Sequence, residues 1–305
     1  MKEVKWLIEK NVFEDNEEQL VNNINKLGMQ TYLVDDSHTE DVVKHLMNFV
    51  YEPKDIVVFY GSIGLGHKLQ KAPWVPGVYL NDKMMECTSY YPVLGDMLVH
   101  AGHYIMLPYG DLLRMEKRIF NYFFKGWTEI FIRPNSGTKQ FTGMVIEKDN
   151  WEEGIKLAGF YGIDPDMLVL ISTVWAFHRE WRFVVVDGKI ITGSAYRDWS
   201  RGEELEISTR DYVLKKSHSI KEECFTNPDF AEWDRDAWDV AQACADKYNP
   251  DHCWTIDVVR SAAGTYAIIE IGSFSCAGLY GANLEKVVKA VSKSALEEWN
   301  EYFGE

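Results

Sequence analysis

The chain has 305 residues, 46% hydrophobic and 26% charged, with a net charge of −15. That length buries a large core and usually builds two or three lobes, while the diffuse negative field argues against a broad DNA or RNA surface and leaves room only for a local basic cleft. The five cysteines (Cys87, Cys224, Cys244, Cys253, Cys276) form no CxxC pair, the N-terminus lacks a signal-peptide core, and no run reaches the ~18 apolar residues of a membrane span. The expectation is a reduced, cytoplasmic protein with no membrane segment.

Val4 to Ile8 reads as a strand, and Glu17 to Leu27 as a helix carrying Leu20, Ile24 and Leu27 on one side and closed by Gly28. A strand at Gln30 to Val34, a helix at Glu40 to Val50 and an apolar strand at Asp55 to Tyr60 follow. This β-α-β-α-β order predicts a small parallel sheet. Gly61 to Lys68 (GSIGLGHK) departs from the P-loop and from GxGxxG, and reads as a glycine-rich turn lining a cleft. Residues 72 to 110 carry Pro73, Pro76, Pro92 and Pro108 and read as a connector with short elements. Within it His100 and His103 are three apart, a spacing that shares one side of a helix, but without a third ligand the pair reads as structural.

Asp111 to Phe124 is expected to be one amphipathic helix with Leu112, Met115, Ile119 and Phe123 inward. Glu129 to Ile146 reads as a hairpin, strands Glu129 to Arg133 and Phe141 to Ile146 around a polar loop. In that loop small residues lie between Arg133 and Lys139, a pattern that suits either an anion site or an ordinary hairpin. A helix at Asn150 to Tyr161, with a capping box between Asn150 and Glu153, precedes a strand at Met167 to Thr173. Glu180 to Arg197 (EWRFVVVDGKIITGSAYR) is a hairpin about Asp187-Gly188. Pairing Val186 with Lys189 sets Arg182 opposite Gly193. Residues 198 to 227 are charged and irregular, a candidate lid. Pro228 to Tyr248 reads as a helix with an aromatic and alanine core stripe, and Leu284 to Tyr302 as a final helix capped by Asn283.

Between those helices, WTIDVVRSAAGTYAIIEIGSFSCAGLYG (Trp254 to Gly281) reads as two strands around Ser261 to Gly264. Pairing Ser261 with Gly264 puts Asp257 opposite Ile268, so that Asp257 and Glu270 are diagonal neighbours on one face. A slip of one residue separates them. Two such carboxylates repel unless something positive lies between them, and the usual group is a hard divalent cation.

Three of these stretches, in this order, resemble an ATP-grasp ligase. IFIRPNSGTKQFTG is similar to the first nucleotide-binding hairpin of the phage and bacterial group with arginine at the first nucleotide-lysine position. EWRFVVVDGKIITGSAYR resembles the DIR…R hairpin of the protein-tail glutamate ligases, and WTIDVV…YAIIEIGSFSCAGLYG resembles the D…ExN metal motif. The resemblance covers about residues 105 to 295. It implies an α/β (α+β) ATP-grasp fold: an N-terminal α/β domain over 1–104, an N-terminal ATP-grasp subdomain over 105–175, and a C-terminal subdomain with the metal hairpin over 176–305. It also implies an ATP-dependent carboxylate–amine ligase working through an acyl-phosphate, on an amino acid, peptide or other small carboxylate, with ATP and Mg²⁺ as cofactors. A non-catalytic ATP-binding module or an interaction protein on the same scaffold is the alternative.

Position by position, Arg133 and Lys139 match the phosphate-holding cations. Ile171, Ser172 and Thr173 match the hinge strand beside adenine, and Arg182 and Arg197 the cations near the transferred phosphoryl group. Asp257 and Glu270 match the Mg²⁺ ligands, and Tyr196, Ser273, Ser275 and Tyr280 fall on the substrate side. Gly272 stands where the family often has Asn, so a second metal site lacks that ligand unless Ser273 or water supplies it. The sequence leaves the oligomeric state open.

Overall fold

The computed structural model describes residues 3–35, 42–138, 140–159, 162–198, 218–219 and 234–304. The proposed lid, apart from residues 198 and 218–219, and Lys139 lie outside the described residues.

The first sheet is parallel, as the β-α-β-α-β pattern predicts. Strands β1 (Val4–Glu9), β2 (Gln30–Val34), β3 (Ile56–Tyr60) and β4 (Val75–Gly77) lie in the order β2-β1-β3-β4. Helices α1 (Glu14–Lys26) and α2 (Val42–Phe49) connect them, and Leu20 and Ile24 of α1 are fully buried. The glycine-rich turn is in fact a short helix, α3 (Ile63–Leu69), capped by Ser62, whose hydroxyl accepts from the Leu65 N–H at 3.1 Å. The connector also holds a helix that its proline density conceals, α4 (Cys87–Leu94), with Pro92 inside it.

The second sheet is antiparallel, with β5 (Tyr104–Pro108), β6 (Glu129–Pro134), β7 (Met144–Glu147) and β8 (Leu168–Ser172) in the order β5-β8-β6-β7. Helices α5 (Leu112–Arg118) and α6 (Trp151–Ala158) cover one face of it. The expected single helix through Phe124 changes at Ile119 into a π-turn, with Phe124 N–H bonded to the Ile119 carbonyl. The wider turn rotates the stripe, so Phe120 and Phe124 are buried and Phe123 is exposed. The capping box at α6 does not form, because the Asn150 amide bonds to Glu147 instead.

The third sheet is also antiparallel: β9 (Phe177–Val186), β10 (Lys189–Asp198), β11 (His218–Ser219), β12 (Cys253–Ser261) and β13 (Tyr266–Ser273), in the order β11-β10-β9-β12-β13. On one face Trp181, Phe183, Val185, Ile256 and Val258 pack with α4 and with Ala237, Ala241 and Cys244 of α7 (Arg235–Lys247). On the other face the strands change character along their length. Val184 and Val186 pack with Val287, Val291 and Trp299 of α8 (Leu284–Phe303), which also covers the first sheet. Two and four residues before Val184 on that same face come Arg182 and Glu180. The Asn283 cap forms, its side chain accepting from Lys286 N–H at 3.0 Å. Among the described residues no helix is long and apolar enough to cross a membrane.

Three bulges set which residues share the cleft-facing side. The β12–β13 turn is one residue longer than Ser261–Gly264 pairing allows, closing with Ser261 N–H on the Thr265 carbonyl. That slip alone would part Asp257 from Glu270. A bulge at Ile269 reverses it, and Asp257 pairs directly with Glu270. In β10 a bulge at Ile191 moves Arg182 from Gly193 to Ser194, and Gly193 instead makes room for the Phe183 ring. A further bulge at Tyr196 lets the consecutive residues Tyr196 and Arg197 both line the cleft.

Candidate active site

A cleft of ≈ 400 Å³ opens between the second and third sheets, with Ile63 and Leu80 of the first region at its margin. Its polar wall is a row across three adjacent strands: Arg182 on β9, Asp257 on β12 and Glu270 on β13 occupy paired positions. Arg182 grips Asp257 with two bonds, Nε to Oδ1 at 2.7 Å and Nη2 to Oδ2 at 2.6 Å. Across the cleft Arg133, at the end of β6, reaches Glu270 at 3.0 Å. Arg197 lies 3.8 Å from Glu180. The positive groups expected between the carboxylates are therefore guanidiniums, one for each of Asp257, Glu270 and Glu180.

The electrostatics keep Arg182 charged and Tyr196 protonated. Burial works against the Arg182 charge, and Asp257 outweighs it, holding the guanidinium above its ordinary value. Burial and then Asp257 and Glu180 raise Tyr196, which stays a phenol. Its hydroxyl lies 2.7 Å from Glu180 Oε2 and 3.1 Å from Asp257 Oδ2, and its one proton serves the nearer carboxylate better. The Tyr196 and Tyr280 rings stack at 4.7 Å and 6°, and the Arg182 guanidinium lies 5.5 and 5.2 Å from their centroids. Tyr280 takes a positive φ of 49° to reach that position.

Of the residues singled out in the sequence, Arg133, Arg182, Arg197, Tyr196, Tyr280, Asp257, Glu270, Thr173 and Ser273 line this one cleft. Ile171 turns into the core of the second sheet. Ser172 is fully buried, its hydroxyl without a partner among the described residues. Ser273 and Ser275 act as staples: the Ser273 hydroxyl donates to the Tyr79 carbonyl, and the Ser275 hydroxyl accepts from Tyr79 N–H at 2.9 Å. Ser275 also accepts Gly61 N–H on its carbonyl at 2.8 Å, tying β13 to the first region. His100 is buried and lines the cleft while His103 is exposed, because they fall in a turn and not a helix.

Glu180 and Phe131 also line the cleft and were not singled out. Each is two residues from a chosen arginine on the same strand, so the period-two rule already placed them on its side. Among the described residues no cluster of three or more His, Cys, Asp or Glu is placed to hold a metal ion. The fit to Mg²⁺ rests on Asp257 and Glu270, hard oxygen donors on one cleft-facing row. Glu270, with its side chain 32% exposed and 3.0 Å from Arg133, suits such a cation. Asp257, with its side chain 3% exposed, offers a ligand oxygen only where Arg182 turns away.

Residues 116–290 match the family model of the ATP-grasp domain, R2K clade family 2. No curated protein matches. Among solved structures, the D-cycloserine synthetase DcsG superposes with a TM-score of 0.61 at 12% identity, over 96% of this chain and 99% of that one. The D-alanine–D-alanine ligase from Bacillus anthracis gives 0.60 at 12% identity, over 99% and 100%. A Chryseobacterium gregarium RiPP-associated ATP-grasp ligase in complex with ADP and a leader and core peptide gives 0.55 at 11%, over 97% of each chain. The identities show likeness of fold, and the family match spans more than half of the chain. The chain belongs to the ATP-grasp superfamily, R2K clade family 2.

Proposed function

We propose that this protein uses ATP to activate a small carboxylate as an acyl-phosphate and passes the acyl group to an amine, on an amino acid or peptide substrate. Residues 1–104, 105–175 and 176–305 act as the N-terminal domain and the two nucleotide-clasping subdomains. Apart from Tyr104, the first residue of β5, each of the three sheets falls within one of these stretches. The structures it resembles include a D-alanine–D-alanine ligase and a ligase bound to leader and core peptide, which supports the amino-acid or peptide class.

One observation carries this reading. Among the described residues three arginines and three carboxylates face one cleft, each arginine in contact with a carboxylate. A nucleotide triphosphate entering a charge-balanced site draws the arginines towards phosphate oxygens. The carboxylates they release then need a new counter-charge. Glu270, with Asp257 as second ligand, would hold Mg²⁺, which would supply that counter-charge and neutralise charge developing on the transferred phosphoryl group. Arg133, with Lys139 from the adjoining loop, holds the phosphates, and Thr173 borders the nucleotide.

The substrate carboxylate oxygen attacks the γ-phosphorus, the bond to the β-phosphate oxygen breaks, and ADP leaves. Arg182 and Arg197 hold charge on the phosphoryl and acyl oxygens. The amine then attacks the acyl carbon, and the C–O bond to phosphate breaks. Inorganic phosphate leaves and the amine gives up a proton. Tyr196 and Tyr280 form the flat wall against which the substrate lies, beside Ser273.

The test is a screen of amino acids and short peptides with ATP, Mg²⁺ and hydroxylamine. A substrate should give ATP-dependent hydroxamate with stoichiometric ADP. ADP release without hydroxamate or amide would contradict the acyl-phosphate route.

A further inference from the structure

The end of β6 is fastened to the N-terminus of α4 by one residue. Arg133, Pro134, Ser136 and Gly137 line the cleft, while Asn135 between them is 8% exposed and bonds to α4. Its carbonyl accepts Cys87 N–H at 2.8 Å, and its Oδ1 accepts Thr88 N–H at 2.8 Å. Its Nδ2 donates to Glu86 Oε2 at 3.2 Å, and its own N–H donates to the Leu168 carbonyl at 2.9 Å.

The first N–H groups of a helix have no partner within it, and the side chain just before the helix usually supplies one. Here that residue, Glu86, makes no side-chain cap bond, and Asn135 caps α4 from another sheet. The helix it caps belongs to the opposite wall of the cleft. Cys87, Tyr90, Tyr91 and Leu94 of α4 pack with Trp181, Phe183 and Ile256 of the third sheet. Asn135 thus ties the hairpin that carries Arg133 to the body that carries Arg182, Asp257 and Glu270. The rest of the turn rests on the same support. Gly137 lies against Met85, where a Cβ would be in ordinary contact at 3.6 Å, and Thr138 N–H donates to Ser136 Oγ at 3.0 Å.

We infer that Asn135 is a positioning residue of the nucleotide site: by capping α4 from across the cleft it holds the Arg133–Thr138 turn in register with the carboxylate row, as a bound triphosphate requires. The inference rests on the ATP-binding reading above and adds what keeps the two walls in register. Asn135 acts through Arg133 and the backbone of the turn, not by touching the nucleotide. Its loss therefore falls on the phosphates and spares the base and ribose.

The experiment measures binding of AMP-PNP with Mg²⁺, and of adenosine, to the parent, to Asn135→Ala and to the double variant Asn135→Asp with Glu86→Gln. Adenosine shares base and ribose with AMP-PNP and lacks the phosphates. The double variant keeps an oxygen for Thr88 N–H and reverses the outer bond, the introduced amide donating to the introduced carboxylate. Asn135→Ala should weaken AMP-PNP about tenfold and adenosine less than about twofold, and the double variant should bring AMP-PNP back to within about threefold of the parent. Unchanged AMP-PNP binding would overturn the inference. So would equal losses for the two probes, the mark of a general loosening of the fold, or a double variant that fails to fold or to restore binding. If Asn135→Ala does not fold, Asn135→Asp alone, which keeps the oxygen but sets two carboxylates together, carries the same expectation and the same refutation. A parent that binds neither probe, or both equally, would overturn the ATP reading itself.

Discussion

Arg182–Asp257 and Arg133–Glu270 are the same chemical pair in two settings. The first joins neighbouring strands of one sheet, has two parallel bonds at 2.6 and 2.7 Å, and exposes 13% and 3% of its side chains. The second spans two sheets, has a contact of 3.0 Å, and leaves Glu270 32% exposed. Removing one partner of a buried pair strands a charge, whereas a more open carboxylate falls back on water. The closed pair thus holds the row together before ligand enters, and the open pair is the first to exchange partners when a polyanion arrives.

The largest expected effect breaks the closed pair. Asp257→Asn leaves Arg182 buried beside a neutral amide and should cost about 3–5 kcal/mol in urea unfolding. The double variant Asp257→Leu with Arg182→Met should recover most of it, because no charge is then stranded. A loss for Asp257→Asn no larger than that for Glu270→Gln would put the two pairs in one class. Next in size, Glu270→Gln should lower Mg²⁺-dependent turnover about 100-fold, and because it leaves Arg133, 12% exposed, without that carboxylate it should also cost about 1–3 kcal/mol, less than Asp257→Asn. A turnover within about threefold of the parent would remove Glu270 from the chemistry. Tyr196→Phe deletes the hydroxyl between Glu180 and Asp257 and should cost about 1.5 kcal/mol, a hydrogen bond to a charged group, in the same unfolding assay. No change there would show that Arg182 alone holds Asp257. The smallest effect is for Arg197→Lys. Its side chain is 45% exposed and 3.8 Å from Glu180, so thermal unfolding should be unchanged within about 0.5 kcal/mol. A larger shift would make this third pair resemble the closed one.

The elements with strong periodicity were legible before any coordinates. β3 is apolar throughout, and α8 buries Val287, Val288, Val291, Ala295 and Trp299 at helical spacing. The charged row was legible only in part. Alternation assigned Asp257 and Glu270 to one face, yet by a register that the structure does not have. Two irregularities, the longer turn and the bulge at Ile269, cancel. Nothing in an apolar strand says which residue will bulge, because the cost is decided by packing on both faces. The same limit moved Arg182 opposite Ser194. Ser273 and Ser275 look alike as small residues after a strand. What separates a lining side chain from a staple is the Tyr79 backbone, almost 200 positions away in sequence. His100 lies in a proline-rich connector with no periodicity; the Phe131 ring beside it and the bond from neighbouring Val99 to Ile268 are contacts that no local pattern encodes.

The central claim is that this cleft takes a nucleotide together with a cation, the arginines turning to phosphate as Glu270 turns to Mg²⁺. Thermal unfolding of the parent with Mg²⁺ alone, AMP-PNP alone and both together tests it most directly. Ligand at 100 times its dissociation constant contributes about 2.7 kcal/mol, a rise of about 5 °C for a chain of this size. The account predicts that rise for the two together, much less for either alone, and loss of the Mg²⁺ increment in Glu270→Gln. No shift at millimolar Mg²⁺ and AMP-PNP, or an equal shift with and without the cation, would contradict it.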